Sequence, residues 1–286
     1  MAWNGICFQA PSSWHPGQIG KQYLLFESDD KPILEIKWEK VKGRFSHKSN
    51  LKRLAKERNR RGIPEFNRID LPDSWREALS EFNVQGFSWQ GSNLGGTGVL
   101  TYCPSCKKAS LIQFYHYGEE VDETLGERVL KSFQDHRENG HTKFALFDFQ
   151  AEIPDKYKLD WYGFDTGRFE LGFTWRKRQI VLNRYAPASA LLGRQNLEEF
   201  ARRYLNLPDG KKMTLDDPIA PAVEWSAPNR GRLYRILNIK GRVWRLRLTH
   251  ETKANRILAV RAQGASPPLN DEFERVVDGF TVASVS

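Results

Sequence analysis

Two closely spaced cysteines are the residues of this chain whose chemistry is easiest to infer from sequence. Cys103 and Cys106 enclose Pro104-Ser105 in a CxxC pattern, and Lys107-Lys108 follow it. Two thiolates at this spacing on a tight turn can both reach one zinc ion at about 2.3 Å, and a tetrahedral site needs two further ligands. The pattern therefore predicts half of a structural zinc site.

Two histidines further along the chain, His136 and His141, are the candidates for the other ligands. The CxxC lies between two predicted strands, so the second strand carries the chain away from the turn and the next helix brings it back. About eight strand residues cover roughly 27 Å, and about fifteen helical residues cover roughly 23 Å. We therefore predict a Cys₂His₂ zinc site formed by Cys103, Cys106, His136 and His141.

Other interpretations of these residues stay open. A histidine after a helix is common without any metal, because the helix dipole favours a cation there, and the separation of Cys106 from His136 exceeds that of zinc fingers. The CxxC can also be a redox-active or disulfide-forming pair, although thioredoxin-like motifs begin a helix. A third interpretation is two reduced thiols in a turn. The second half of the chain has His250-Glu251-Thr252-Lys253 at the matching hairpin, so a CxxC metal site belongs to the first half.

A basic segment, Lys37 to Arg61, is the second feature with recognisable chemistry. It holds 11 basic and 2 acidic residues, a difference equal to the formal charge of +9 of the whole chain. A second basic stretch runs from Arg230 to Arg256. Such a face can bind nucleic-acid phosphates, with Trp38 and Phe45 as stacking surfaces, or it can be a solvated helix face. The candidate polyanion-binding residues are Lys52, Arg53, Lys56, Arg60, Arg245 and Arg247.

The length and composition limit the scaffold that positions these residues. The chain has 286 residues, enough for two domains of ordinary size, and 40% of them are hydrophobic, which excludes wholesale disorder. We find no secretory signal pattern at the N-terminus and no apolar stretch long enough for a transmembrane helix. Three cysteines are too few for a disulfide framework, so we expect a cytoplasmic protein without membrane attachment.

Three short matches in the same order predict that the chain is an internal duplication. The two halves, 1–140 and 141–286, join at the polar, glycine-containing stretch around Asn139-Gly140. The matches pair Phe8-Gln9-Ala10 with Phe149-Gln150-Ala151, Asn50-Leu51 with Asn196-Leu197, and Glu127–Phe133 with Glu274–Phe280.

The periodicity of apolar residues gives both halves the same sequence of elements. Alternating residues predict a hairpin around Asp29-Asp30, a helix follows from Leu51, and a second hairpin and a final helix over 121–136 complete the first half. The second half repeats this order. Runs of strands closed by helices are typical of antiparallel sheets with packed helices, an α+β class.

This order of elements resembles the Mog1/PsbP-like fold in two tandem copies. The resemblance rests on an N-terminal strand followed by a proline and an aromatic residue (Phe8, Pro11, Trp14) and on a final helix that ends in Leu130–Phe133. Members of that fold are mostly non-catalytic and bind small GTPases, photosystem subunits or secreted effectors. The resemblance therefore implies a binding role, but the binding signatures of those partners are not recognisable in this sequence.

The sequence is compatible with three functions. We expect a non-enzymatic binding or adaptor protein with a protein partner, which should show an exposed apolar or aromatic patch on one domain. The alternative is a nucleic-acid or other polyanion-binding accessory protein that uses the basic segment. A hydrolase assembled between the domains is the third, but no nucleophile elbow, metalloprotease motif or paired-carboxylate spacing supports catalysis.

Overall fold

A computed structural model of the chain describes residues 1–60, 65–118, 122–136, 139–205, 207, 211–215, 220–227, 243–264 and 270–283. The chain divides into two compact units, Met1–Arg137 and Glu138–Ser286. The predicted domain boundary at residue 140 lies a few residues after this division. Arg61, residues 228–242 of the second basic stretch, and residue 121 of the predicted helix lie outside the described residues.

The first unit consists mainly of one seven-stranded antiparallel sheet. Its strands follow the order β3-β4-β5-β9-β8-β7-β6, and the hairpin β1–β2 pairs separately. The elements are β1 Ala2–Trp3, β2 Ile6–Cys7, β3 His15–Gly20, β4 Tyr23–Ser28, β5 Lys31–Lys40, α1 His47–Arg60, β6 Glu65–Ile69, α2 Asp73–Ala78, β7 Asn83–Gln90, β8 Gly95–Tyr102, β9 Lys108–His116 and α3 Glu123–Lys131.

The second unit has a seven-stranded sheet of the same order, β12-β13-β14-β18-β17-β16-β15, and a smaller ladder of β10, β11 and β19. Its elements are β10 His141–Leu146, β11 Phe149–Pro154, β12 Lys158–Asp165, β13 Arg168–Trp175, β14 Arg178–Tyr185, α4 Ala188–Leu192, α5 Leu197–Tyr204, β15 Lys211–Leu215, β16 Ala222–Ser226, β17 Val243–Glu251, β18 Arg256–Gly264, α6 Asn270–Gly279 and β19 Thr281–Val282. Antiparallel sheets with helices packed on them confirm the α+β class. The identical strand order is what a duplication produces, and the duplication itself stays a prediction.

Both faces of the sheet in the first unit carry core residues. On one face Leu51 of α1 packs against three buried side chains of the sheet: Phe87, Trp89 and Leu100. On the other face Trp75 of α2 is buried beside Phe114 of β9, with 5.3 Å between ring centroids. Its indole N–H donates to the Glu123 carbonyl of α3 at 3.0 Å. Because a fully buried large apolar side chain stabilises a fold by about 1.5–3 kcal/mol, these contacts fix α2 and α3 on the sheet.

Capping residues set where two of the helices begin. The Asp122 side chain accepts from the Leu125 amide at 3.1 Å at the start of α3. Asn196 and Glu199 form a reciprocal capping box at the start of α5, with both bonds at 3.0 Å. The helix predicted to reach residue 136 ends at Lys131 instead. The chain beyond it is extended, because Gln134 forms a β-bridge with Cys7.

Candidate metal centre and binding surfaces

The CxxC pattern forms the turn between β8 and β9. The Cys103 amide donates to the Lys108 carbonyl at 2.9 Å, and the Lys107 amide donates to the Cys103 carbonyl at 3.0 Å. Lys107 has a φ of +59°, in the left-handed region that a tight turn requires. This closed turn places both thiols on one side of the hairpin end.

The segment after α3 runs beside this turn. The Cys7 amide donates to the Gln134 carbonyl at 2.7 Å, and the Gln134 amide donates to the Cys7 carbonyl at 2.8 Å. These two bonds attach the segment to β2, and the next two residues, Asp135 and His136, reach the thiols. The carboxylate of Asp135 is buried, with only 1% of the residue exposed.

Four side chains of metal-binding type meet here: Cys103, Cys106, Asp135 and His136. Their ligand atoms all lie within 4.8 Å of one another. Cys103 Sγ is 3.7 Å from His136 Nδ1, and Cys106 Sγ donates to Asp135 Oδ2 at 3.2 Å. Ligand atoms around a tetrahedral zinc with bonds of 2.0–2.3 Å lie roughly 3.3–3.8 Å apart. The spacings of these two pairs are therefore within a few tenths of an ångström of those around a tetrahedral ion.

A third contact within the cluster is closer than a metal site permits. His136 Nδ1 lies 2.6 Å from Asp135 Oδ1, a direct hydrogen bond between two ligand atoms. An ion bound between these side chains replaces that bond, and the carboxylate and imidazole must then move apart.

The electrostatics of the cluster favour a neutral Cys106 thiol in the absence of a cation. Burial, together with the hydrogen bond to Asp135 and the negative charge of that carboxylate, raises the pKa of Cys106 to about 12. Burial lowers the pKa of the neighbouring Lys108 ammonium, which donates to the carbonyls of Gly5, at 2.6 Å, and of Asp135. A divalent cation reverses the balance because it stabilises thiolates directly.

One of the four predicted zinc ligands is absent from this cluster. His141 is the first residue of β10, paired with Pro154, and its Nδ1 lies 2.9 Å from the Asn139 carbonyl oxygen. Asp135 takes the place predicted for His141. Asp135 was not among the predicted ligands, which were limited to cysteine and histidine, although zinc also accepts carboxylate ligands. The signal that was available is its position directly beside His136.

The predicted cations of α1 point to solvent. Lys52, Arg53, Lys56 and Arg60 are all exposed. Arg58, in contrast, lies 4.1 Å from the centroid of the Trp89 ring and donates to Gln113 at 3.1 Å.

The two aromatic residues predicted to offer stacking surfaces do so poorly. Trp38 is buried, which corrects that expectation. Phe45 is half-buried and already stacks on Tyr102, with 4.6 Å between ring centroids and 6° between the planes.

The other two predicted polyanion-binding residues form ion pairs inside the second unit. Arg245 pairs with Glu224 and, at 2.5 Å, with Glu274. Arg247 pairs with the same two carboxylates at 2.6 and 2.8 Å. Their side chains are only 18% and 14% exposed, so these guanidinium groups neutralise carboxylates of the second unit and are not available as an exposed polyanion-binding surface.

A group of aromatic side chains, here called the aromatic ledge, surrounds the turn between β10 and β11. Its members are Phe147, Tyr162, Phe164 and Phe169. The ring of Phe147 lies 5.0 Å from Phe164 and 4.9 Å from Phe169, and 43% of Phe147 is exposed. Beside the ledge, Asp148 accepts hydrogen bonds from Arg184 and Arg256. Burial opposes ionisation of Asp148, but these bonds lower its pKa overall.

Within the described residues, no helix is long and apolar enough to cross a membrane.

Comparison with known proteins gives distant structural matches only. No protein-family model and no curated protein matches the sequence. Half of the chain (50%) is similar to the yeast Ran-binding protein Mog1p from Saccharomyces cerevisiae, over 95% of that protein, at 9% identity and a TM-score of 0.33. Nearly all of the chain (95%) is similar to the immunity protein TplEi of the T6SS from Pseudomonas aeruginosa, solved with an "L" peptide, over 98% of that protein, at 15% identity and a TM-score of 0.35.

A third structure, from Bacteroides thetaiotaomicron, matches 52% of this chain at 13% identity and a TM-score of 0.32, and this chain spans only 50% of its length. The Mog1p match agrees with the weak resemblance of fold found in the sequence. Because all these TM-scores are below 0.5, the matches show nothing about the partners or activity of this chain.

Proposed function

We propose that this chain is a non-enzymatic protein-binding protein that presents the aromatic ledge of its second unit to a protein partner. The observation that carries the proposal is the backbone of Phe147, which has a φ of +55°. A bulky residue in the left-handed region is strained, by roughly 1–3 kcal/mol, and such strain is concentrated at functional sites.

In the first unit, the N-terminal hairpin has a turn whose residues adopt positive φ without this strain. There the turn residues are Asn4 and Gly5, with φ of +43° and +94°, the two residue types that tolerate this conformation best. Phe147 occupies the matching turn between β10 and β11 and leaves 43% of its surface in solvent. Exposed aromatic side chains of this kind are enriched at the centres of protein interfaces, which supports a docking role.

The test compares two aromatic residues of similar exposure. Tyr117, in the first unit, is 42% exposed and serves as the matched control for Phe147. Tagged wild-type chain, Phe147→Asp and Tyr117→Asp are expressed in the source cells, and co-purifying proteins are quantified by mass spectrometry. We expect a partner that is lost with Phe147→Asp and retained with Tyr117→Asp. A set of co-purifying proteins that is the same for all three chains contradicts the proposal.

We further propose that Cys103, Cys106, Asp135 and His136 bind one zinc ion with a structural role. The support is the convergence of two thiols, a buried carboxylate and an imidazole at one hairpin end. All three cysteines of the described chain are free thiols, and a reducing compartment such as the cytoplasm preserves them for metal binding.

Two histidine variants distinguish this site from the Cys₂His₂ site predicted from sequence. Elemental analysis of purified protein should find about one zinc per chain in the wild type and in His141→Ala. It should find much less in His136→Ala, because each ligand of a tetrahedral site contributes to affinity. Zinc lost from His141→Ala as well as from His136→Ala would restore the Cys₂His₂ site predicted from sequence, because both histidines are ligands in that site.

The polyanion-binding alternative now rests on α1 alone, because Arg245 and Arg247 are paired internally. It stays a prediction. Binding to nucleic acid that falls steeply with salt and disappears when Lys52, Arg53 and Lys56 are reversed in charge would support it.

A further inference from the structure

The turn between β13 and β14 gathers cations around one tryptophan. Arg176 and Arg178 place their guanidinium carbons 5.1 and 5.2 Å from the centroid of the Trp175 ring. Lys156, from the segment after β11, places its ammonium 4.6 Å from the same centroid. Lys177 completes the turn. We call these four cations with Trp175 the cationic tip.

Internal carboxylates account for only part of this charge. Lys156 pairs with Glu272, whose other oxygen accepts from the Tyr157 hydroxyl at 2.6 Å. Arg176 and Lys177 are exposed, and neither forms an ion pair within the described part of the chain. Like charges held this close repel one another, so an arriving anion relieves repulsion in addition to making its own contacts.

The fold itself does not require cations at this position. In the first unit the matching turn, between β4 and β5, carries Asp29 and Asp30, with φ of +50° and +58°. Both aspartates are exposed, so the turn is acidic where its counterpart in the second unit is basic. The cationic tip is therefore a property of the second unit, which also carries the aromatic ledge.

The chemistry of the tip distinguishes between two classes of anionic ligand. Single-stranded nucleic acid is held by bases that stack on open aromatic faces. Trp175 is half-buried, and three cations already lie within about 5 Å of its ring, so a base has little face to stack on. Arginine side chains, by contrast, match the two oxygens of a carboxylate in a fork geometry.

We propose that the cationic tip binds an acidic segment, rich in aspartate or glutamate, of the protein partner. This inference rests on the proposed protein-binding function and adds a partner chemistry and a second contact to it. Phe169 and Trp175 lie at the two ends of β13, roughly 20 Å apart at the rise of an extended strand. A single protein interface of standard size, about 800 Å² on each partner, spans such a distance.

The test uses purified chain and a fluorescein-labelled peptide of ten glutamates, with a thymidine decanucleotide of the same length as the comparison. Arg176→Glu/Lys177→Glu changes the tip, and Lys52→Glu/Arg53→Glu on α1 is the control because it changes the net charge equally. We expect fluorescence anisotropy to show peptide binding that weakens between about 20 and about 200 mM salt. The tip variant should lose about tenfold in affinity, a loss of the size seen for one or two charge-assisted contacts, and the control less than about twofold.

Equal losses in the two double variants show a net-charge effect only and overturn the proposal. Preference for the decanucleotide over the peptide, with the tip variant losing both, overturns it in favour of nucleic acid. Because the peptide assay does not involve Phe147, its outcome is separate from that of the co-purification test. If Phe147→Asp loses a partner while the tip variant binds peptide normally, the proposed function stands and the acidic-segment inference fails.

Discussion

Removal of the proposed zinc ion should destabilise the first unit by an amount that the structure allows us to estimate. The ion joins the β8–β9 turn to the segment after α3, and Cys106 and Asp135 are separated by 29 residues. In the chain-entropy treatment of cross-links, closing a loop of this length is worth about 3.5 kcal/mol at 25 °C. For a unit of this size, each kcal/mol corresponds to roughly 3–4 °C in Tm, so we expect a loss of about 10–14 °C.

The assay is thermal unfolding by circular dichroism in the presence of a reductant, with and without a chelator. The Tm of the wild type should fall by that amount when the chelator is added. Cys103→Ser should start from a low Tm that the chelator does not change. Cys7→Ser is the matched control, because Cys7 is the third free cysteine and is not part of the metal cluster.

Two results would refute this reasoning. A wild-type Tm that is unaffected by the chelator shows that no bound ion stabilises the unit. A Cys7→Ser variant that loses its response to the chelator as fully as Cys103→Ser shows that the ion is held elsewhere.

Two further predictions concern packing and ionisation. Gly126→Ala in α3 should destabilise the first unit by about 1–3 kcal/mol despite the better helix propensity of alanine, because the new Cβ would lie 2.2 Å from the Trp75 ring. Urea unfolding measures this, and Gly163→Ala, whose Cβ meets nothing within 4 Å, should change stability by less than about 0.5 kcal/mol. Burial raises the pKa of Tyr185 to about 12, whereas the unfolded tyrosine ionises near 10. Stability should therefore be unaffected by this group below pH 10 and fall by about 3 kcal/mol at most towards pH 12. Tyr185→Phe should reduce that fall in urea unfolding at high pH.

Local sequence patterns correctly predicted the elements that depend only on residues close together in the chain. The turn at Asp29-Asp30, the helix that begins after Asn196 and the CxxC turn all depend on neighbours within a few residues, and all lie where the sequence predicts. The order of elements, and with it the α+β class, followed from the same signals. Strand β3 and helix α2 were missed because β3 contains Pro16 and two glycines and α2 has only six residues.

Phe8 and Phe149, which match in sequence, do not occupy equivalent positions in their hairpins. In the structure the first hairpin turn is closed by Trp3 opposite Ile6, and the second by Leu146 opposite Phe149. Phe149 therefore directly follows its turn, whereas Phe8 lies two residues further along. A shift of two residues keeps a side chain on the same face of a strand, so the apolar pattern survives although the register does not.

The site shows the same division between local and long-range information. The sequence by itself determined that two thiols share one turn, since CxxC spacing is a local property, and that the positive charge is concentrated in one segment. Only the tertiary structure decided the rest. The β-bridge between Gln134 and Cys7 places the next two residues, Asp135 and His136, beside the thiols. His141 lies further along the chain, as the first residue of β10. Ion pairs with Glu224 and Glu274 likewise removed Arg245 and Arg247 from the surface. Contacts between residues far apart in the chain arise from backbone pairing and burial across the whole unit, and local spacing does not encode them.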